Sequence, residues 1–204
     1  MIRSALLRFF KQESVVPKRF DHALLGAATA ILIFGLIMVA SASMAISERQ
    51  FGTPFHFFIR QLIYAALGIV VAFFSFRQGM LWWIKMGPYL LLLGLLLLFA
   101  VLIPHIGHVV NGSRRWIRLG FLNLQVSEFM KLAMVIFMGG FLVRRFTEVQ
   151  TAFSGFLKPM VILGLTAVLL LAEPDFGATV VIAVTVMTML FLAGVRLKPF
   201  FFLL

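Results

Sequence analysis

Long apolar runs separated by short polar stretches set the rhythm of this chain. A bilayer core about 30 Å thick takes roughly 20 apolar helical residues to cross. Six runs approach that length: Leu24–Ile46, Phe57–Phe76, Met86–Ile103, Ser127–Val143, Pro159–Ala172 and Phe176–Gly194. Each predicts a transmembrane helix, and together they predict an all-α polytopic membrane bundle. The fifth run is the shortest, and its flanks suggest its bounds. Lys158-Pro159 opens it and Glu173-Pro174 closes it, residues that stop a helix or are costly in lipid. Leu90–Leu98 is a leucine-rich span, and no internal repeat is evident.

Composition agrees with the pattern. Of 204 residues, 62% are apolar and 12% charged, about half the charged share of a soluble domain. That much apolar surface cannot be hidden in a water-soluble fold of this size, so the solvent is lipid. The composition excludes a disordered chain, and the lack of cysteine excludes a disulfide framework.

The net charge of +11 is a matter of topology rather than of nucleic-acid binding. With the amino terminus in the cytoplasm, twelve of the 18 basic residues fall inside: Arg3, Arg8, Lys11, Lys18, Arg19, Arg77, Lys85, Arg144, Arg145, Lys158, Arg196 and Lys198. Arg49, Arg60, Arg114, Arg115, Arg118 and Lys131 fall outside. The positive-inside bias therefore predicts a cytoplasmic N-terminus. Residues 1–22 form a basic extension, read either as an interfacial anchor (Ile2, Leu6, Phe9 and Phe10 against Arg3, Arg8 and Lys11) or as a flexible tail. Ala40-Ser41-Ala42 mimics a signal-peptidase site, but the long polar lead and the spans that follow favour an uncleaved helix. Residues 23–204 are the membrane domain, with an outer loop over 104–127.

Two outer segments break the rules that lipid imposes. The first contains Asn111-Gly112-Ser113-Arg114-Arg115-Trp116-Ile117-Arg118. Three outer arginines work against the positive-inside bias. A helical turn there would put Arg114 and Arg118 on one face, with Trp116 at the headgroup level. Guanidinium forks take phosphate oxygens bidentately, so headgroup anchoring and a diphosphate site both remain open. Ser127 reads as an N-cap of the fourth span, Glu128 as its first-turn acid, and Lys131 as an ammonium that must pair with Glu128, snorkel or face a polar cavity. The second segment is Glu173-Pro174-Asp175-Phe176-Gly177, with Pro174 suited to helix position N1. Its acids either cap the sixth helix or meet Lys131 or the arginines across the bundle and line an outward-facing polar cavity, where a carboxylate could also hold a divalent cation with a diphosphate substrate. His105 and His108 lack a third ligand and read as solvated loop. Gly26, Ala30, Gly35 and Gly139-Gly140 read as helix-packing residues.

Asn111–Lys131 (NGSRRWIRLGFLNLQVSEFMK) and Glu173–Gly177 (EPDFG) resemble, in order and spacing, the two signatures of the SEDS family (FtsW/RodA), polytopic cell-wall enzymes. Gly35–Met44, Gly155–Met160 and Met189–Gly194 look closer to the FtsW branch. Val126 stands where the family commonly has proline. The family has about ten spans, so the chain is expected to be its N-terminal half. The resemblance implies a peptidoglycan glycosyltransferase of the division septum, in the bacterial inner membrane. Its substrate would be the lipid-linked disaccharide-pentapeptide, and its partners a septal penicillin-binding transpeptidase and other divisome membrane proteins. The family's catalytic aspartate has no counterpart here, so the chain is expected to be inactive alone. What carries over is a substrate-binding set: Arg115, Trp116, Arg118, Glu128, Lys131 and Asp175. A flippase of the same precursor and the elongation-specific RodA paralogue are the alternatives.

Overall fold

The computed structural model describes residues 21–104, 106–110, 113–119 and 122–195. Residues 1–20 of the basic N-terminal extension, His105, Asn111-Gly112 and the segment from Arg196 onward, each read above, lie outside the described residues.

Two compact units emerge. The first is a helical hairpin of α1 (His22–Phe51) and α2 (His56–Arg77). Asp21 caps α1, its carboxylate accepting from the amides of Ala23 and Leu24 at 2.9 and 3.1 Å. Gly52 ends it at φ 70°, a left-handed conformation that suits glycine. Ser47 ties the turn: its hydroxyl donates to Thr53 O at 2.7 Å and accepts from His56 N at 3.2 Å. The Phe51 and His56 rings stack at 3.9 Å. Along α1 only Ser47 is buried and along α2 nothing is, which suits helices whose solvent is lipid. Ala40-Ser41-Ala42 lies within α1.

The second unit runs from α3 (Met80–Leu102) through a three-stranded antiparallel sheet to four further helices. The strands are β1 (Gly107–Val110), β2 (Ser113–Leu119) and β3 (Leu122–Gln125). The helices are α4 (Val126–Arg144), α5 (Phe146–Thr151), α6 (Phe153–Ala172) and α7 (Phe176–Leu192). Among the described residues, five helices are long and apolar enough to cross a membrane. The sixth, α7, has 17 residues, or roughly 26 Å at 1.5 Å per residue, the short end of the spanning range.

The core lies between α3, α4 and α7. Buried residues of α3 recur as Ile84, Gly87, Leu91, Gly94, Leu98 and Val101, alternating spacings of three and four that keep one stripe against α4. Glycine lets the two helices approach closely within that stripe. A Cβ on Gly87 would come 3.1 Å from Phe137 Cα, and one on Gly94 would meet Met130 Sδ at 2.6 Å. In lipid, close approach of this kind supplies the packing that hydrophobic burial cannot. From α7, Ala178, Ile182, Val186 and Leu190 face inward at every fourth position.

Several expectations change. The fifth span is α6, and it starts at Phe153, so Lys158 and Pro159 lie inside it. Lys158 is held there by an ion pair with Glu148 on α5, which removes the reason for a helix to begin after it. Glycine packing at Gly139-Gly140 belongs to Gly140 alone, whose Cβ would meet Ile84 O at 3.2 Å. Gly26, Gly35 and Gly139 have open space.

Candidate functional site

The loop between α3 and α4 is built from strands. Val110 pairs with Ser113 and Leu119 with Leu122, leaving two residues at each connection. The expected helical turn over Arg114–Arg118 is β2 instead: Trp116 and Ile117 pair with strands on both sides, Arg114 pairs with β1 and Arg118 with β3. Register jumps from His108↔Trp116 to Val109↔Arg114. Arg115 is therefore the extra residue of a β-bulge, a device that re-aims a side chain.

Its guanidinium reaches the turn between α6 and α7. Arg115 Nε donates to Glu173 O at 3.4 Å, Nη2 donates to Pro174 O, and Nη1 lies 3.7 Å from Asp175 Oδ1. These carbonyls close the C-terminal end of α6, where the helix dipole favours a cation. Arg115 has five N–H donors; two are hydrogen-bonded to carbonyls of the turn, Nη1 adds an ion pair to Asp175, and 30% of the side chain stays exposed.

Asp175 caps α7, its Oδ1 accepting from Ala178 N at 3.2 Å. Phe176 is thus the first helical residue, and Pro174 precedes the cap rather than occupying N1. The carboxylate performs both roles foreseen for it, capping a helix and meeting an arginine across the bundle. Glu173 is the residue that sequence reading left in the background. It is wholly buried, and burial together with the charge of Asp175 pushes its carboxyl up to about 8, Arg115 opposing.

Glu128 and Lys131 form a second pair at 2.7 Å, one turn apart on α4. Ser127 does not cap α4. Gln125 occupies the cap position, and buried Ser127 lies inside the helix, accepting from Gln125 Nε2 at 3.1 Å. Among the described residues no ion pair links Lys131 to Asp175. Lys131 instead stands at one end of a groove of about 260 Å³ between α4 and α7, whose other walls include Leu132, Val135, Val181 and Thr185. Arg118 is exposed, Trp116 is half-buried between β1 and β3 partners, and His108 is exposed. Arg114 donates to Leu102 O at 3.0 Å, closing α3. Among the described residues no three His, Cys, Asp or Glu side chains converge as a metal site would need.

At the opposite end of this unit, Glu148 gathers Arg145 at 2.9 Å, Lys158, and the Ser154 hydroxyl at 2.8 Å. Hydrogen bonds from Lys158, then Ser154, hold its carboxyl down to about 2. Arg144 donates to Ile84 O at 2.7 Å.

The chain matches, over residues 21–204, the family model of a cell cycle protein group named for FtsW, RodA and SpoVE. A protein of Coxiella burnetii named "Probable peptidoglycan glycosyltransferase FtsW" is 51% identical over 194 residues, 95% of this chain and 52% of its own. The rod shape determining protein RodA of Thermus thermophilus matches with a TM-score of 0.61 at 23% identity, over 82% of this chain and 54% of that one, a likeness of fold. A chain from a peptidoglycan synthase complex, described for its coordination of polymerization and crosslinking, matches with a TM-score of 0.61 at 26% identity. It is covered over 47% of its length and covers 79% of this chain. The chain spans about half the length of the curated relatives it matches.

Proposed function

We propose that this chain, which belongs to the cell cycle protein family of FtsW, RodA and SpoVE, supplies the diphosphate-holding part of a septal peptidoglycan glycosyltransferase in the bacterial inner membrane. The observation that carries this reading is the 51% identity, across 95% of the chain, to a protein of that name. In the reaction, a hydroxyl of an acceptor lipid-linked disaccharide-pentapeptide attacks the anomeric carbon of a donor, and undecaprenyl diphosphate leaves. No residue of this chain is assigned the base that takes the hydroxyl proton.

The chain's own residues serve the leaving group. The apolar groove between α4 and α7 suits an isoprenoid chain, and Lys131 at its end suits the diphosphate that follows it. Arg118, exposed on β2, is a second cation for phosphate oxygens. Fixed cations of this kind stabilise charge that grows on the departing oxygens. Arg115 holds the sheet to the α6–α7 turn through two hydrogen bonds and the Asp175 ion pair, with part of its side chain still exposed. Glu128 sets the position of Lys131, Asp175 that of Arg115, and Trp116 lies beside them on β2. The cluster of Arg144, Arg145 and Lys158 at the other end supports the orientation with the sheet outside. The synthase complex among the matched structures supports a crosslinking transpeptidase as partner.

The test is polymer formation from labelled lipid-linked precursor by the full-length protein in vesicles. Lys131→Ala and Arg118→Ala are expected to lower turnover by tenfold or more, and Arg145→Ala is expected to leave it within twofold. Equal loss in all three, or none, would sink the assignment.

A further inference from the structure

The α6–α7 turn holds more acid than it has partners for. Glu173 is wholly buried, and neither of its carboxyl oxygens has a hydrogen-bond partner. Asp175 is 5% exposed; its Oδ1 serves Ala178 and Arg115, while its Oδ2 is buried and unpartnered. Arg115 donates to the backbone carbonyls of Glu173 and Pro174 and leaves the Glu173 carboxyl alone. Three buried carboxyl oxygens therefore have no hydrogen-bond partner among the described residues, in a setting where each unpaired polar group costs stability and an unpaired charge costs more.

Charge arithmetic decides what completes them. With both acids ionised the turn carries two negative charges against one guanidinium, and the negative end of α6 adds to the excess. Among the described residues no other cation makes up the difference. Helix α7 has no charged residue, α6 has Lys158 and α3 has Lys85, each toward its far end. Lys131 on α4 pairs with Glu128, Arg114 on β2 is held at Leu102 O, and His108 on β1 is exposed. A metal ion would need more ligands than these two acids and would stand beside a guanidinium. A proton needs neither.

We propose that Glu173 carries a proton and forms with Asp175 a carboxylic acid–carboxylate pair that positions Arg115 against the end of α6. The Glu173 hydroxyl donates to Asp175 Oδ2, which satisfies both residues and leaves one negative charge for one guanidinium. Burial and the neighbouring aspartate keep the proton in place up to about pH 8. The inference concerns the chain's own turn and stands apart from the glycosyltransferase reading.

Infrared difference spectra of the whole chain in nanodiscs, taken from pH 6 to pH 10, test it directly. The chain has five glutamates and two aspartates, so ¹³C-glutamate labelling assigns any signal to residue type. The expected result is a carboxylic acid band at pH 7 that shifts with the glutamate label and disappears near pH 8. Glu173→Gln removes it. Absence of a protonated glutamate at pH 7 in the parent chain overturns the proposal, whether or not the variant folds. A glutamate band at pH 7 that persists in Glu173→Gln overturns its assignment to Glu173.

Discussion

Arg115 and Asp175 are 60 residues apart in sequence and 3.7 Å apart in space. The contact joins a β-bulge to the cap of a helix, so one guanidinium ties the outer sheet to both helices of the α6–α7 hairpin. Removing it strands a buried carboxylate and uncovers two carbonyls at the end of α6. With part of the side chain exposed, the pair is worth less than a fully buried one.

Arg115→Ala is expected to cost about 1–3 kcal/mol, read as a lower unfolding temperature in detergent. Arg115→Lys keeps the charge but has one point donor group in place of a fork, and should recover part of the loss. Equal stability of all three proteins would show that the contact does not hold the sheet.

Asp175 has two separable roles. Asparagine can still accept from Ala178 N, so Asp175→Asn keeps the cap and loses the charge, whereas Asp175→Ala loses both. Alanine is expected to be worse than asparagine by about 1 kcal/mol, the usual worth of an N-cap. Denaturant titration of the two variants side by side checks the order.

Glu148 makes stability depend on acid. Its carboxyl is held down to about 2 in the folded chain against an ordinary unfolded value near 4.3. The folded state therefore binds fewer protons, and the stabilisation is present above the unfolded value and lost as pH falls through that range toward 2. Hydrogen exchange of residues 146–151 should quicken from about pH 4.5 downward, beyond the intrinsic trend. In Glu148→Gln the extra acid dependence should be missing.

Two glycines separate close approach from chance. A Cβ on Gly155 would lie 2.4 Å from Glu148 O and 2.5 Å from Val149 Cα, both backbone atoms that cannot swing away. Gly155→Ala should cost at least about 2 kcal/mol. Gly139 has nothing within 4 Å of its Cβ position, so Gly139→Ala should be neutral or stabilise by up to about 1 kcal/mol through helix propensity. Thermal unfolding of both distinguishes them.

How much of this was legible in the chain differs by element, and the reasons are physical. Lipid requires long uninterrupted apolar helices, so α1 to α4 could be read from runs such as Leu24–Ile46. The start of α6 could not, because Lys158 is tolerated in the helix only through Glu148, ten residues earlier on α5. The sheet left a signal that was passed over: Asn111-Gly112 between Val110 and Ser113 is the commonest two-residue hairpin connection. Glu128 and Lys131 could be paired from their spacing, since three residues make one helical flank. Glu173 could not be ranked above its neighbours. Its isolation depends on where the Arg115 fork lands, and a bulge in a distant strand decides that.

The central claim is that cations fixed at the sheet end of the second unit hold a lipid-borne diphosphate. The most direct measurement is equilibrium binding of labelled lipid-linked precursor to the purified chain in nanodiscs, comparing Lys131→Ala/Arg118→Ala with Arg144→Ala/Arg145→Ala. The first pair is expected to weaken binding at least tenfold, about 1.4 kcal/mol, and the second to leave it within twofold. Undiminished binding after loss of Lys131 and Arg118 would contradict the account.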